Sequence, residues 1–299
     1  MGADGTLCAS IRRPSLEIVT AVVESQSENW GIRADQHRVE AWSVARLQFE
    51  PRGWQVDYRN SLRSALRHLS AAHGRVLRAE YATPNHDFAD LENVLLYNVG
   101  SGAYGHLLAE GLELRRFPSP DQWHRVSYEI AAPTSRNLAD GTVLAKVDTQ
   151  IGVGVAAPRS AGTWWRLLRP AITVTDSAVP HTGEFGVEIE LLGVQGSRSV
   201  AGQLKPLLDG LISALQVHHP TPARPDKTTW SQLALLGDPA ELWDLLTDNN
   251  VAILGACSLV RPGKVNLVWN PSDHRCSTIL LSARPGSAPR LRAIVCALP

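Results

Sequence analysis

The sequence predicts an α+β fold, mainly antiparallel sheets with about three amphipathic helices, arranged as one body or as two similar lobes. Three observations lead there. Short runs rich in β-branched and aromatic residues recur along the chain, bounded by Gly, Pro, Asn and Asp. Two segments carry apolar side chains at helical spacing, and a third opens with helix-capping chemistry at Asp238. Finally, 299 residues with 44% hydrophobic and 19% charged side chains suffice for a substantial core and argue against disorder.

Residues 1–14 read as a flexible arm and residues 15–131 as an N-terminal α+β lobe. In that lobe Ser15–Glu24 and Val39–Phe49 are predicted strands. Tyr58–His73 is a predicted helix, with Leu62, Ala65, Leu66 and Leu69 on one stripe and Gly74 closing it. Arg75–Tyr81, Asn93–Val99, Leu112–Arg115 and Arg125–Ala131 follow as strands. Residues 132–160 read as an irregular crossover, with short β-like runs at Val143–Val147 and, beyond it, Ile172–Thr175.

Residues 161–299 form the predicted C-terminal lobe. Phe185–Leu192 is a strand, and Leu204–Val217 is the strongest helix, striped by Leu204, Leu207, Leu208, Leu211, Ile212 and Leu215. Pro206 is placed in its first turn. After a Pro-rich linker, His219–Lys227, a helix starts at Asp238 with Pro239 at its first position and Glu241 at its third. Val251–Val260, Lys264–Trp269, Thr278–Ala283 and Arg290–Ala297 complete the strands. Each half contains an apolar run ending in an aromatic residue and Asn, Leu95-Leu96-Tyr97-Asn98 and Leu267-Val268-Trp269-Asn270, which raises an internal duplication.

Composition restricts function more by exclusion. Net charge is zero, so no global field favours nucleic acid or an anionic membrane. No apolar run reaches membrane-spanning length, and residues 1–14 lack a signal-peptide core. Cys8, Cys257, Cys276 and Cys296 form no CxxC pair and read as free thiols, so the expected compartment is the cytoplasm. Basic residues are nearly all arginine, which reads as the codon bias of a GC-rich, bacterial-like genome.

The densest chemistry lies between His86 and His106. His86, Asp87, Asp90, Glu92 and Asn93 form an acidic cluster, and on an extended chain Asp90 and Glu92 face the same way. Two carboxylates and an imidazole can hold a divalent metal such as Mg²⁺ against a phosphate oxygen. The string Asp90-x-Glu92-Asn93 is similar, over four residues, to the paired-carboxylate motifs of metal-dependent nucleases and singles out no family. No lysine is near in sequence, unlike a PD…ExK centre. As loop residues, the same acids serve turns and caps.

Gly100, Gly102 and Gly105 fit GxGxxG after a predicted strand. The segment His106–Glu110 is too short for the crossover helix of a dinucleotide fold, and the lysine and catalytic-loop signatures of a protein kinase are absent. The glycines are then read either as a phosphate-approaching loop or as a tight connection. Arg59, Arg63 and Arg67 recur at i, i+4, i+8 on the first helix, a candidate phosphate track or a solvated face. Trp164-Trp165 is a candidate exposed stacking platform. His274 and Cys276, with Cys257 and Cys296, are zinc ligands only if the fold gathers them.

Two functional readings follow. In the first, the protein is a divalent-metal-dependent enzyme acting on a phosphate-containing substrate or nucleic acid. Asp90 and Glu92 bind metal, His86 is acid or base, and Asn93, Gly100, Gly102, Gly105, Arg63 and Arg67 contact ligand. In the second, it is a non-catalytic module acting through protein–protein contacts, self-association included.

Overall fold

A computed structural model describes residues 23–84, 89–108, 110–134, 138, 141–152, 158–175, 179–193, 197–219 and 224–298. The main strands are β1 (Val23–Gln26), β2 (Trp30–Ala34), β3 (Arg38–Ser43), β4 (Val76–Thr83), β5 (Gly111–Pro118), β6 (His124–Ala131), β7 (Val143–Gln150), β8 (Ile172–Val174) and β9 (Phe185–Leu192). Four two-residue strands follow, β10 (Val217–His218), β11 (Ala256–Cys257), β12 (Val260–Arg261) and β13 (Val268–Trp269). The long strands β14 (Cys276–Arg284) and β15 (Arg290–Ala297) end the chain.

Eleven of these strands form one mixed, mostly antiparallel sheet in the order β1-β2-β3-β6-β4-β5-β14-β9-β15-β7-β8. The α+β class therefore holds. Strands from both halves of the chain meet at β5 and β14, antiparallel, with Leu281 opposite Leu112.

Alternation along the strands gives the sheet two unlike faces. Leu77, Ala79 and Tyr81, Val187, Ile189 and Leu191, and Leu291, Ala293 and Val295 are buried in the core. Charged residues alternate with them and pair across strands: Arg78 with Glu113 at 2.9 Å, Arg292 with Glu190 at 3.4 Å, Arg290 with Asp148 at 2.7 Å.

The core face is covered by α1 (Trp54–Arg67), α2 (Ala161–Leu168) and α3 (Ser197–Ala214), while α4 (Lys227–Leu233) and α5 (Pro239–Thr247) follow in the C-terminal half. Among the described residues there are five α-helices, where about three were expected. In α1, Tyr58, Leu62, Ala65 and Leu66 are buried. The predicted leucine stripe, on α3 and at Leu215 just past its end, is at most 1% exposed. Asp238 caps α5 as expected, its carboxylate accepting from the N–H groups of Ala240 and Glu241. The short α4 was not foreseen; Asp226 caps it through Thr228 and Thr229.

Other expectations are corrected. Asn93–Tyr97 is a π-helical turn, not a strand, because it sits in a crossover between parallel strands β4 and β5 rather than in the sheet. α3 begins earlier than expected, so Pro206 is inside it. Proline has no N–H to give, and the preceding Lys205 N–H donates to the Tyr97 hydroxyl at 2.7 Å. Within the region read as irregular, β7 is an eight-residue strand paired with β15 and β8. Val251–Val260 and Lys264–Trp269 contribute only two-residue strands. The expected strand Ser15–Glu24 lies largely outside the described residues.

The strand pairings repeat. In the first half β3, β6 and β4 are antiparallel neighbours, and β4 pairs parallel with β5 after a crossover. In the second, β7, β15 and β9 are antiparallel neighbours, and β9 pairs parallel with β14 after a longer crossover. A helix precedes each crossing pair, α1 before β4 and α2 before β9.

Candidate metal centre

The two crossovers converge at one edge of the central strands. Thr83, the last residue of β4, pairs with Pro118, and Cys276, the first of β14, lies at the same end. The chain leaving β4 carries Asp90 and Glu92; the chain entering β14 carries Asp273. One carboxylate oxygen from each of the three lies within 4.8 Å of the others. Among the described residues this is the group of acids, thiols and imidazoles that could hold a metal ion, so the alternative zinc set of His274 and the cysteines is not assembled.

α3 adds the counter-charge. The Lys205 ammonium donates to Glu92 at 2.8 Å and to Asp209, one turn along, at 3.1 Å. Glu92 is 3% exposed and Asp273 7%. If all four carboxylates were ionised, four negative charges would face one ammonium, leaving −3 in a poorly hydrated site.

Buried charge of that kind is relieved by a proton or by a cation. The Asp273 carboxyl responds to both pressures: burial, then its hydrogen bond with Asp90 and the charges of Glu92 and Asp90, push it up to about 10. Burial likewise raises Glu92 and Asp209 against the pull of Lys205. For Lys205 burial acts downward, and Glu92 and Asp209 more than reverse it, holding the ammonium charged. Three hard oxygen donors suit Mg²⁺ or Mn²⁺ better than softer ions.

Arg116, on β5, fixes the arrangement from below. Its guanidinium, only 7% exposed, donates to the carbonyl of His274 at 2.7 Å, to that of Ala89 at 3.4 Å and to the Glu184 carboxylate at 2.9 Å. It therefore holds the residue before Asp90 and the residue after Asp273.

A cleft of about 560 Å³ opens beside Asp90, with Arg46, Phe49, Asn93, Tyr97 and Lys205 in its walls. Asn93 donates to the Asp90 carboxylate at 2.6 Å. Asp90 and Lys205 thus join the buried cluster to the cleft.

The other sequence candidates are placed as follows. His86 lies outside the described residues. Gly100 has φ +102°, which favours glycine, and the Arg63 side chain lies over it, donating to the Val99 carbonyl. The Gly105 N–H donates to Ser101 and the Ala103 N–H to Gly100, so this loop uses these amides internally. Neither Gly100, Gly102 and Gly105 nor Arg63 and Arg67 line the cleft. Burial, with the like charges of Arg59 and Arg67, lowers Arg63.

Trp164 and Trp165 are 4% and 0% exposed, which overturns the stacking platform; Trp165 packs against Trp269 with ring centroids 5.1 Å apart. Their polar-looking surroundings in sequence hid a capped helix, Ser160 and Thr163 bonding reciprocally at its start. Sequence reasoning did not place Lys205, Asp209, Asp273 or Arg116 at the site. Lys205 and Asp209 had a local signal, an i,i+4 pair on the leucine-striped helix. Among the described residues no helix is long and apolar enough to cross a membrane. Comparison with protein-family models, with curated proteins and with solved structures found no match.

Proposed function

We propose that this protein binds a divalent cation through Asp90, Glu92 and Asp273 and uses it to act on a phosphate-containing substrate. The observation that carries the reading is the approach of three carboxylates from both halves of the chain to within 4.8 Å in a buried setting. Asp90, Glu92 and Asp273, the last giving up its proton to solvent, would hold the ion, and bound there it would supply Lewis-acid chemistry to a phosphoryl oxygen of a substrate in the cleft at Asp90. Lys205 and Arg46 supply positive charge beside it. The three described thiols, none in a disulfide, fit a cytoplasmic setting.

The test is Mn²⁺ titration of the purified protein by calorimetry and electron paramagnetic resonance, with phosphate release from a panel of phosphate mono- and diesters. One tight site, lost in Asp90→Asn and Asp273→Asn together with any hydrolysis, is expected. Absence of Mn²⁺ binding overturns the reading.

One observation favours the second reading, a non-catalytic module. Lys205 already pairs with Glu92 and Asp209, so with Asp273 protonated the cluster also serves as a polar clasp between the two crossovers. We also infer that the halves arose by duplication, which the repeated pairing order supports.

A further inference from the structure

The cleft beside Asp90 has chemistry beyond its acid. Its volume, about 560 Å³, falls in the roughly 300–1,000 Å³ range of small-molecule sites. Phe49, on its wall, is 68% exposed, a large apolar ring left in water beside charged groups. An ammonium has three N–H donors, and Glu92 and Asp209 take two of those on Lys205, which leaves one for a ligand. The Gln48 side chain and the Tyr97 hydroxyl add hydrogen-bonding groups.

We propose that this cleft binds a nucleoside phosphate, with the phosphate against Lys205 and Arg46 beside Asp90 and the base stacked on Phe49. Inorganic phosphate or a sugar phosphate would meet the positive charge and leave the ring uncovered; a base has a π-face that covers it. The inference rests on the metal reading above for the role of Asp90, and on the cleft's own residues for the class of ligand.

Calorimetry on the intact protein with Mn²⁺ tests it, using AMP, GMP, CMP and UMP, ribose 5-phosphate and inorganic phosphate as probes. At least one nucleotide should bind ten-fold or more tighter than ribose 5-phosphate. Phe49→Ala, at an exposed position, should abolish that preference and leave phosphate binding unchanged; Arg46→Ala should weaken all the probes. Equal affinity for nucleotide and ribose 5-phosphate, or a preference that survives Phe49→Ala, overturns the assignment even when Mn²⁺ binds. Phe49-dependent nucleotide binding without Mn²⁺ binding leaves it standing and removes the metal reading alone.

Discussion

Lys205 donates to Glu92 at 2.8 Å across 113 residues of sequence, and this contact ties the long crossover of the second half to the short crossover of the first. Glu92 is almost wholly buried, so removing its partner strands a carboxylate among other acids in a poorly hydrated site. Lys205→Met should therefore destabilise the metal-free protein by about 3 kcal/mol, the low end for a broken buried pair because Lys205 is partly exposed. Denaturant unfolding measures it. Adding Glu92→Gln should recover a large part of the loss; a double variant as unstable as the single one would show that the pair is not the cause.

Asp273 predicts a pH dependence. Its ordinary value is 3.8 and the folded value is about 10, so in metal-free protein the folded state holds a proton that the unfolded state has released. Stability is then fully present below pH 3.8 and declines as pH rises toward 10. Asp273→Asn should flatten that decline and leave the variant more stable than the parent at neutral and alkaline pH. An unchanged slope in thermal melts from pH 5 to 9 would refute it.

Arg116→Met should separate the two acidic segments. It removes three charge-assisted hydrogen bonds and leaves the carbonyls of His274 and Ala89 to find other donors. A loss on the order of 2–3 kcal/mol is expected, with Mn²⁺ affinity falling at least ten-fold. Glu184→Gln breaks only the ion pair and should retain affinity. Equal metal binding in Arg116→Met and parent would show that the guanidinium does not position the carboxylates.

Gly210 sets how closely α3 packs on α2. A Cβ there would stand 2.8 Å from the Ala161 carbonyl oxygen and 3.0 Å from the Trp165 nitrogen, both backbone atoms that cannot swing aside. Gly210→Ala should cost about 1–3 kcal/mol despite its better helix propensity. Gly202→Ala, on the same helix with open space around it, should be neutral or stabilising.

Arg169 is 2% exposed and donates to the carbonyls of Ala214, Gln216 and Asp248. It closes the C-terminal end of α3, where positive charge is favoured. Arg169→Met should destabilise by about 3 kcal/mol, and Arg169→Lys should recover only part, since an ammonium cannot span three carbonyls in a plane.

The sheet was legible where alternation was strong. Phe185–Leu192 and Arg290–Ala297 match their predicted bounds because every second residue is apolar and charged residues fall between them, Glu188 and Glu190 in the first and Arg290 and Arg292 in the second. Asn93–Tyr97 was not legible: its central Val94, Leu95 and Leu96 form a continuous apolar run that fits a strand or a buried turn equally, and its place in a crossover is a matter of tertiary context. At the site, Asp90, Glu92 and Asn93 were legible through local density of polar groups. Asp273 and Lys205 were not, since their approach depends on β14 lying next to β5, a pairing no local pattern encodes.

The antiparallel seam between β5 and β14 has a practical corollary. If the gene were divided between codons 134 and 141, each product would carry one long strand, β5 or β14, with an unmet row of amide and carbonyl groups, the surface on which chains aggregate. Expressed apart, the fragments should be insoluble; co-expressed, they should reassociate along that seam, each serving as the other's chaperone.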